Sequence, residues 1–303
     1  MAPPARIVVI AGPTASGKTA LAIELARRLD GEVVSADSQQ LYRGLDVGTA
    51  KPTAEERAAV PHHLIDVAEP EEGWDAARFV RLADAAIAEI AARGRLPLVV
   101  GGTGLYLRAL LHGVVEAPGR DPALRARLEE EARALGRPAV HARLAAVDPE
   151  AASRIRANDL VRVVRALEMA ASGRTQSERF REHAFAEDRY AAVILALDLP
   201  RDELLRRIDA RVEAMFAGGI LDEARALVER YGGRVPEKLP IGYGAAIAVV
   251  RGECESAEAI RRVQIETRQY ARRQVKWLRR ERGVEWVTPP WDVEGMAQRV
   301  RAR

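Results

Sequence analysis

Apolar positions along the chain come in two textures. Residues 6–11, Arg-Ile-Val-Val-Ile-Ala, form a short unbroken run of small and β-branched residues closed by a glycine, the pattern of a strand covered on both faces. Leu21, Leu25 and Leu29, with Ala22 and Ala26, then recur at intervals of three and four until Asp30-Gly31 interrupts them, which predicts a helix with one buried stripe. A second buried run, residues 32–36, ends at Asp37. A helical pattern over about 76–93 leads to a third run, Leu96–Val100, which ends at Gly101-Gly102-Thr103-Gly104. Strands alternating with helices predict a parallel, three-layer α/β sheet. From about Pro118 to Arg189 the texture changes to Ala, Arg and Glu at helical spacing with no buried run, so an all-helical insertion is expected at 118–189. Residues 191–199 are apolar again, and the chain is expected to return to its first domain, giving a core of 1–117 and 190–303. Helices are predicted at about 201–230, 243–251 and 256–281, and a last short strand at Val284–Val287.

At 303 residues, 48% apolar and 30% charged, the chain has enough apolar surface for a core and length for about two domains. No run approaches the roughly 18 apolar residues that span a bilayer, and the opening residues lack a signal-peptide pattern, so a cytoplasmic protein without a membrane partner is expected. One cysteine, Cys254, excludes an internal disulfide and a Cys-rich zinc site. The net charge of +3 says little about a polyanionic partner, and the distribution of charge has to carry that question. Arginine outnumbers lysine 43 to 4, which makes Lys18, Lys51, Lys238 and Lys276 individually informative.

Gly12-Pro13-Thr14-Ala15-Ser16-Gly17-Lys18-Thr19 matches G-x-x-x-x-G-K-S/T between a predicted strand and a predicted helix, the context that pattern requires. Glycines let backbone N–H groups curl around an oxyanion, the helix start adds partial positive charge, Lys18 adds a full one, and the Thr19 hydroxyl is placed to ligate Mg²⁺. The predicted fold class is therefore α/β, a P-loop NTPase-like parallel sheet flanked by helices, with an all-helical insertion. The loop implies a bound phosphate or diphosphate, not yet a nucleoside triphosphate. P-loop NTPases add a strand-end aspartate for Mg²⁺, for which Asp37 and Asp198 are candidates. Asp198 sits at an ordinary strand exit. Asp37 ends the second strand, at the carboxyl edge where such sheets place their ligands.

Around that aspartate the chain reads Asp37-Ser38-Gln39-Gln40-Leu41-Tyr42-Arg43-Gly44-Leu45-Asp46-Val47-Gly48-Thr49-Ala50-Lys51-Pro52. With the phosphate loop, this resembles the tRNA dimethylallyltransferase family. Pro61-His62-His63-Leu64-Ile65-Asp66, Gly101–Tyr106, Arg162 with Arg165-Ala166-Leu167-Glu168, Ile241-Gly242-Tyr243, and Thr267–Gln274 with Trp277 extend the resemblance over nearly the whole chain. The resemblance implies that Gly12–Thr19 holds the diphosphate of dimethylallyl diphosphate rather than ATP. It implies transfer of the prenyl group to the exocyclic amine of the adenosine 3′ of a tRNA anticodon, with Asp37 as general base and Thr103 orienting the reacting groups. Lys18 and Arg211 would face the diphosphate, and Ser38, Gln39 and Gln40 would lie beside the flipped-out base. No chemical role is expected for His62 and His63 beyond packing a loop.

Family relatives also prenylate free nucleotides, so a tRNA acceptor needs its own support. Between Ala259 and Arg282 nine basic residues face two acids, and Arg261, Arg268, Arg272 and Arg279 share one helical stripe that could track phosphates. In the insertion, Asn158–Arg165 resembles a family stretch that contacts the anticodon loop, which makes Val161, Arg162, Val163, Val164, Arg165 and also Arg125 candidate tRNA contacts. Family members often carry Gln where this chain has Val161. The expected partners are thus a tRNA anticodon stem-loop and dimethylallyl diphosphate, with Mg²⁺ as cofactor and a monomeric enzyme. Two other readings stay open on the sequence: a P-loop nucleoside or nucleotide kinase with the insertion as its lid, and a non-enzymatic RNA-binding regulator.

Overall fold

The structure, a computed structural model, describes residues 5–302. The first half of the core contains β1 (Arg6–Ala11), α1 (Lys18–Leu29), β2 (Gly31–Ser35), α2 (Ala54–Ala59), β3 (His62–His63), α3 (Ala76–Ala92), β4 (Leu96–Gly101) and α4 (Gly104–His112). Helices α5 (Pro122–Leu135), α6 (Arg137–Val147), α7 (Pro149–Arg154), α8 (Leu160–Ala171) and α9 (Gln176–His183) follow. The chain then forms β5 (Ala191–Leu197), α10 (Arg201–Ala217), α11 (Ile220–Arg230), α12 (Tyr243–Val250), α13 (Ser256–Leu278), β6 (Val284–Val287) and α14 (Val293–Ala302). The six strands make one all-parallel sheet in the order β3-β2-β4-β1-β5-β6. The loops that leave β1, β2 and β4 therefore open at one carboxyl edge from three adjacent strands.

Strand β1 is apolar at every central position because both of its faces are covered. Ile7 and Val9 meet Phe79, Ile87 and Ile90 of α3 in one core, while Val8 and Ile10 meet Leu21 and Leu25 of α1 in the other. Full burial of each such side chain contributes roughly 1.5–3 kcal/mol. The predicted helix over 201–230 is two helices, α10 and α11. Gly218-Gly219 separates them, and Gly219 has φ 119, a left-handed conformation that a side chain would strain.

Strand β3 was not legible as a strand: it is two residues long and pairs Val33 with His62. Its His63 Nε2 lies 2.7 Å from Oε2 of Glu32, a carboxylate 3% exposed that also receives Arg93 and Arg95. Burial alone would raise the Glu32 pKa, but the hydrogen bonds from Arg93, His63 and Arg95 outweigh it and hold it at about 2. His62 and His63 thus lie in the edge strand of the sheet rather than in the loop expected for them.

The chain divides into two compact units, one made of the residues up to Leu111 and from Arg189, the other His112–Asp188. The boundary falls at His112, the last residue of α4, a few residues before the expected 118. The second unit is all-helical, with its own core of Leu128, Val140, Leu144, Ile155, Val163, Val164 and Leu167. Among the described residues no helix is long and apolar enough to cross a membrane.

Candidate active site

The phosphate loop, residues 12–19, turns from β1 into α1 with Ala15 at φ 63 and Gly17 at φ 92. A Cβ on Gly17 would lie 2.6 Å from the Trp291 ring, so both the backbone angle and the packing require glycine there. The first-turn N–H groups of α1 have no intrahelical acceptors and, with the helix dipole, make this end receptive to an anion. Lys18 Nζ donates to the Pro13 carbonyl at 2.8 Å. The Ser16 hydroxyl is fully buried with no hydrogen-bond partner among the described residues.

This loop lines one side of a cavity of about 370 Å³ whose other walls include Asp37, Gln40, Ala50, Glu56, Arg207 and Arg211. Burial lowers the Lys18 ammonium to about 8, with Asp37 pulling it upward and Arg211 pushing it down. Burial likewise lowers Arg211, and Asp37 again opposes. One carboxylate is thus in electrostatic reach of two cations beside the anion cradle. Arg211 Nη2 donates to the Thr49 carbonyl at 3.3 Å, which aims the guanidinium across the cavity from α10.

Asp37 follows β2, and its Oδ1 accepts the Gln39 N–H at 2.8 Å in a tight local turn. Thr103, in the turn after β4, accepts the Ser38 N–H at 3.0 Å, and its hydroxyl donates to Ser38 Oγ at 3.3 Å. The two loops can approach because the intervening residues are glycines: a Cβ on Gly101 would lie 2.2 Å from the Ala36 carbonyl oxygen, and one on Gly102 2.7 Å from that of Gly12. Asp198, the other aspartate considered for this edge, is exposed, and its N–H donates to Val287.

The structure revises several expected contacts. Gln39 Oε1 accepts the Ile241 N–H at 2.9 Å, and Gln40 Nε2 donates to the Ala50 carbonyl at 3.0 Å, so both amides hold neighbouring loops rather than project free. Arg268 is bound through two nitrogens to Asp209 of α10 and leaves the basic ridge, whereas Arg261, Arg272 and Arg279 remain exposed. In the helical unit, Arg125 forks onto Glu168 with two bonds of 2.7 Å, and Arg165 bridges Glu168 and the Pro118 carbonyl. Val163 and Val164 are core residues with no surface to offer. Val161, 70% exposed, and Arg162 face solvent at the start of α8, where Asp159 caps the helix.

Gln274, named in the sequence only as the end of the stretch Thr267–Gln274, had no role assigned to it there. Its Oε1 accepts the Thr14 N–H at 2.8 Å and its Nε2 donates to the Gly102 carbonyl at 3.0 Å, tying α13 to both the phosphate loop and the turn before Thr103. Its helical register with the apolar Val263, Ala271 and Leu278 was the available signal. Lys51 is the other unread residue: its ammonium, on a side chain 2% exposed, donates to Asp46, Asp66 and the Tyr42 carbonyl. Glu223 clamps the same loop, accepting the N–H groups of Asp46, Val47 and Gly48 and the Tyr243 hydroxyl. Together they hold Thr49, whose carbonyl receives Arg211.

Among the described residues no group of three or more His, Cys, Asp or Glu is arranged as a metal cage. That donor set is compatible with Mg²⁺, which keeps waters and takes substrate phosphate oxygens with one or two protein ligands.

Comparison with known proteins agrees with this geometry. The profile of the family described as IPP transferase matches residues 40–281. A tRNA dimethylallyltransferase of Anaeromyxobacter sp. (strain K) is 75% identical over 295 residues, covering 97% of each chain. The crystal structure of the tRNA isopentenylpyrophosphate transferase of Bacillus halodurans is 39% identical, with a TM-score of 0.71 over 98% of this chain and 96% of that one. A eukaryotic dimethylallyltransferase acting on tRNA superposes with a TM-score of 0.83 at 29% identity, covering 98% of this chain and 78% of its own. Matched in sequence and in fold over nearly its whole length, and carrying a phosphate loop set beside Asp37, the chain belongs to the IPP transferase family of tRNA dimethylallyltransferases.

Proposed function

We propose that this enzyme transfers the dimethylallyl group of dimethylallyl diphosphate to the exocyclic N6 amine of the adenosine immediately 3′ of a tRNA anticodon, releasing diphosphate. The observation that carries the reading is the cavity itself, where Lys18 and Arg211 both sense the charge of Asp37 across the phosphate loop. The diphosphate lies in the loop of residues 12–19, held by the free N–H groups at the start of α1, by Lys18 and by Arg211. As the allylic carbon–oxygen bond breaks, negative charge gathers on the leaving diphosphate, and these preplaced donors stabilise it. The Thr19 hydroxyl and the diphosphate oxygens would hold Mg²⁺, which supplies further charge neutralisation when bound. The N6 amine attacks the prenyl carbon, the new carbon–nitrogen bond forms, and the amine proton passes to the Asp37 carboxylate. Thr103, anchored through Ser38, orients the amine against Asp37.

A base buried in a stacked loop cannot reach such an edge, so the adenosine has to be extruded into the site. The exposed arginines of α13 and the exposed start of α8, with Val161 and Arg162, are the surfaces that meet the RNA backbone and anticodon loop. The test is incubation with dimethylallyl diphosphate and total bacterial tRNA, followed by mass spectrometry of the nucleosides. Prenylated adenosine with stoichiometric diphosphate is expected. Consumption of ATP to phosphorylate a small metabolite, with RNA mass unchanged, would overturn the reading.

A further inference from the structure

Helix α13 presents Tyr270, Gln274 and Trp277 at intervals of four and three, one face of a helix. Gln274 contacts Gly102, and a Cβ on Gly104 would fall 2.2 Å from the Trp277 ring, so this face is laid along the turn that contains Thr103. Tyr270 stands one turn earlier on that face. Its hydroxyl oxygen is buried and makes no hydrogen bond of ordinary length to any described residue, although the Thr103 and Ser38 hydroxyls lie near enough to act on it. A buried hydroxyl left without a partner is costly and rare, and such groups mark places where something from outside completes the bonding. Burial, and then the negative charge of Asp37, raise the phenol to about 12, against a smaller opposing effect of the Thr103 and Ser38 hydroxyls. The hydroxyl therefore borders Asp37, Thr103 and Ser38, and it keeps a proton to donate at neutral pH. The Arg273 guanidinium sits over its ring, 5.7 Å from the centre.

We propose that Tyr270 is a third residue of the acceptor-base site, its hydroxyl donating to a ring nitrogen of the extruded adenine while Asp37 faces the amine. This assignment rests on the prenyl-transfer reading above. An adenine edge suits the position because it offers ring-nitrogen acceptors beside the amine that Asp37 must reach. A phenol one helical turn from Gln274 supplies a donor beside Asp37 that is not already held in a hydrogen bond of ordinary length among the described residues.

Tyr270→Phe removes one oxygen and keeps the ring packed, so its melting temperature should match the parent closely. With an anticodon stem-loop RNA as acceptor, kcat/KM for RNA is expected to fall by about tenfold or more, the scale of one buried hydrogen bond, while KM for dimethylallyl diphosphate stays within about twofold. The parent enzyme is also assayed with RNAs carrying 1-deaza-, 3-deaza- or 7-deazaadenosine at the acceptor position. One of them should lose a similar factor, and that loss should vanish in Tyr270→Phe. A variant within twofold of the parent in kcat/KM for RNA would overturn the assignment. So would a parent indifferent to all three analogues, or an analogue penalty that persists undiminished in the variant. A parent enzyme that prenylates no RNA at all would remove the functional reading itself, and this assignment with it.

Discussion

Lys18 is the residue whose environment most directly sets the conditions of catalysis. Burial lowers its ammonium to about 8 in the free enzyme, and only the protonated form can neutralise a diphosphate. Below that value the charge is present, and above it the charge is lost, so kcat/KM for dimethylallyl diphosphate should decline as pH rises through about 8. A pH–rate profile on the donor at saturating tRNA checks this, and a flat profile to pH 10 would show that the ammonium contributes nothing. For Asp37, replacement by Ala should lower turnover by about 10²–10⁴ with donor affinity preserved, as measured by single-turnover rates and donor binding separately. If donor affinity fell instead, Asp37 would belong to the diphosphate site and not to proton removal.

At the scale of elements, α13 is the member that joins the site together. Gln274→Ala leaves the Thr14 N–H and the Gly102 carbonyl unpaired in a buried place, at about 1–3 kcal/mol for each. A lower melting temperature and a raised KM for the donor are expected together, and an unchanged KM would mean that the phosphate loop keeps its shape unaided. The strands and their ligand edge were readable because buried parallel strands are apolar throughout and the loop of residues 12–19 carries its own chemistry. Residues 6–11 are the case in point, observed as β1 with the predicted bounds. What escaped was set by tertiary partners. β3 is too short to show a period, and the break between α10 and α11 lies in a glycine pair that costs little in a pattern count. Arg268 has the spacing of a phosphate-tracking arginine, yet Asp209 on another helix claims it. Arg125 and Arg165 show the same limit, since nothing along the chain announces that Glu168 will be buried between them.

For the whole molecule, the division of its arginines into exposed and committed groups determines how it meets RNA and how it tolerates acid. Arg272→Ala should weaken tRNA binding and reduce the slope of log affinity against log salt by about 0.7–0.9, the share of one phosphate contact. Arg268→Ala should leave that slope intact and lower stability by about 1 kcal/mol or less, since the Asp209 pair is partly exposed. Binding titrations at several salt concentrations separate the two, and equal slopes for parent and Arg272→Ala would make the ridge plain solvated surface. Acid acts through buried carboxylates, Glu32 and Glu168 among them. Glu32 in the sheet unit and Glu168 in the helical unit are both held at about 2, below the usual 4.5. For Glu168, as for Glu32, burial works upward and is outweighed, here chiefly by Arg125, the Asp121 N–H and Arg165. Their contribution is fully present above about 4.5 and is lost as pH falls toward 2, in each unit by its own cluster. Thermal melts across that range should fall steeply, and Glu168→Gln should flatten the fall for the helical unit.

The bond between Thr14 and Gln274 joins residues 260 positions apart. A ribosome making this chain therefore exposes the phosphate loop long before it supplies the clasp. Until residue 274 has emerged, the nascent enzyme holds an unfinished cradle, so the capacity to consume prenyl donor arrives only after α13 has been made.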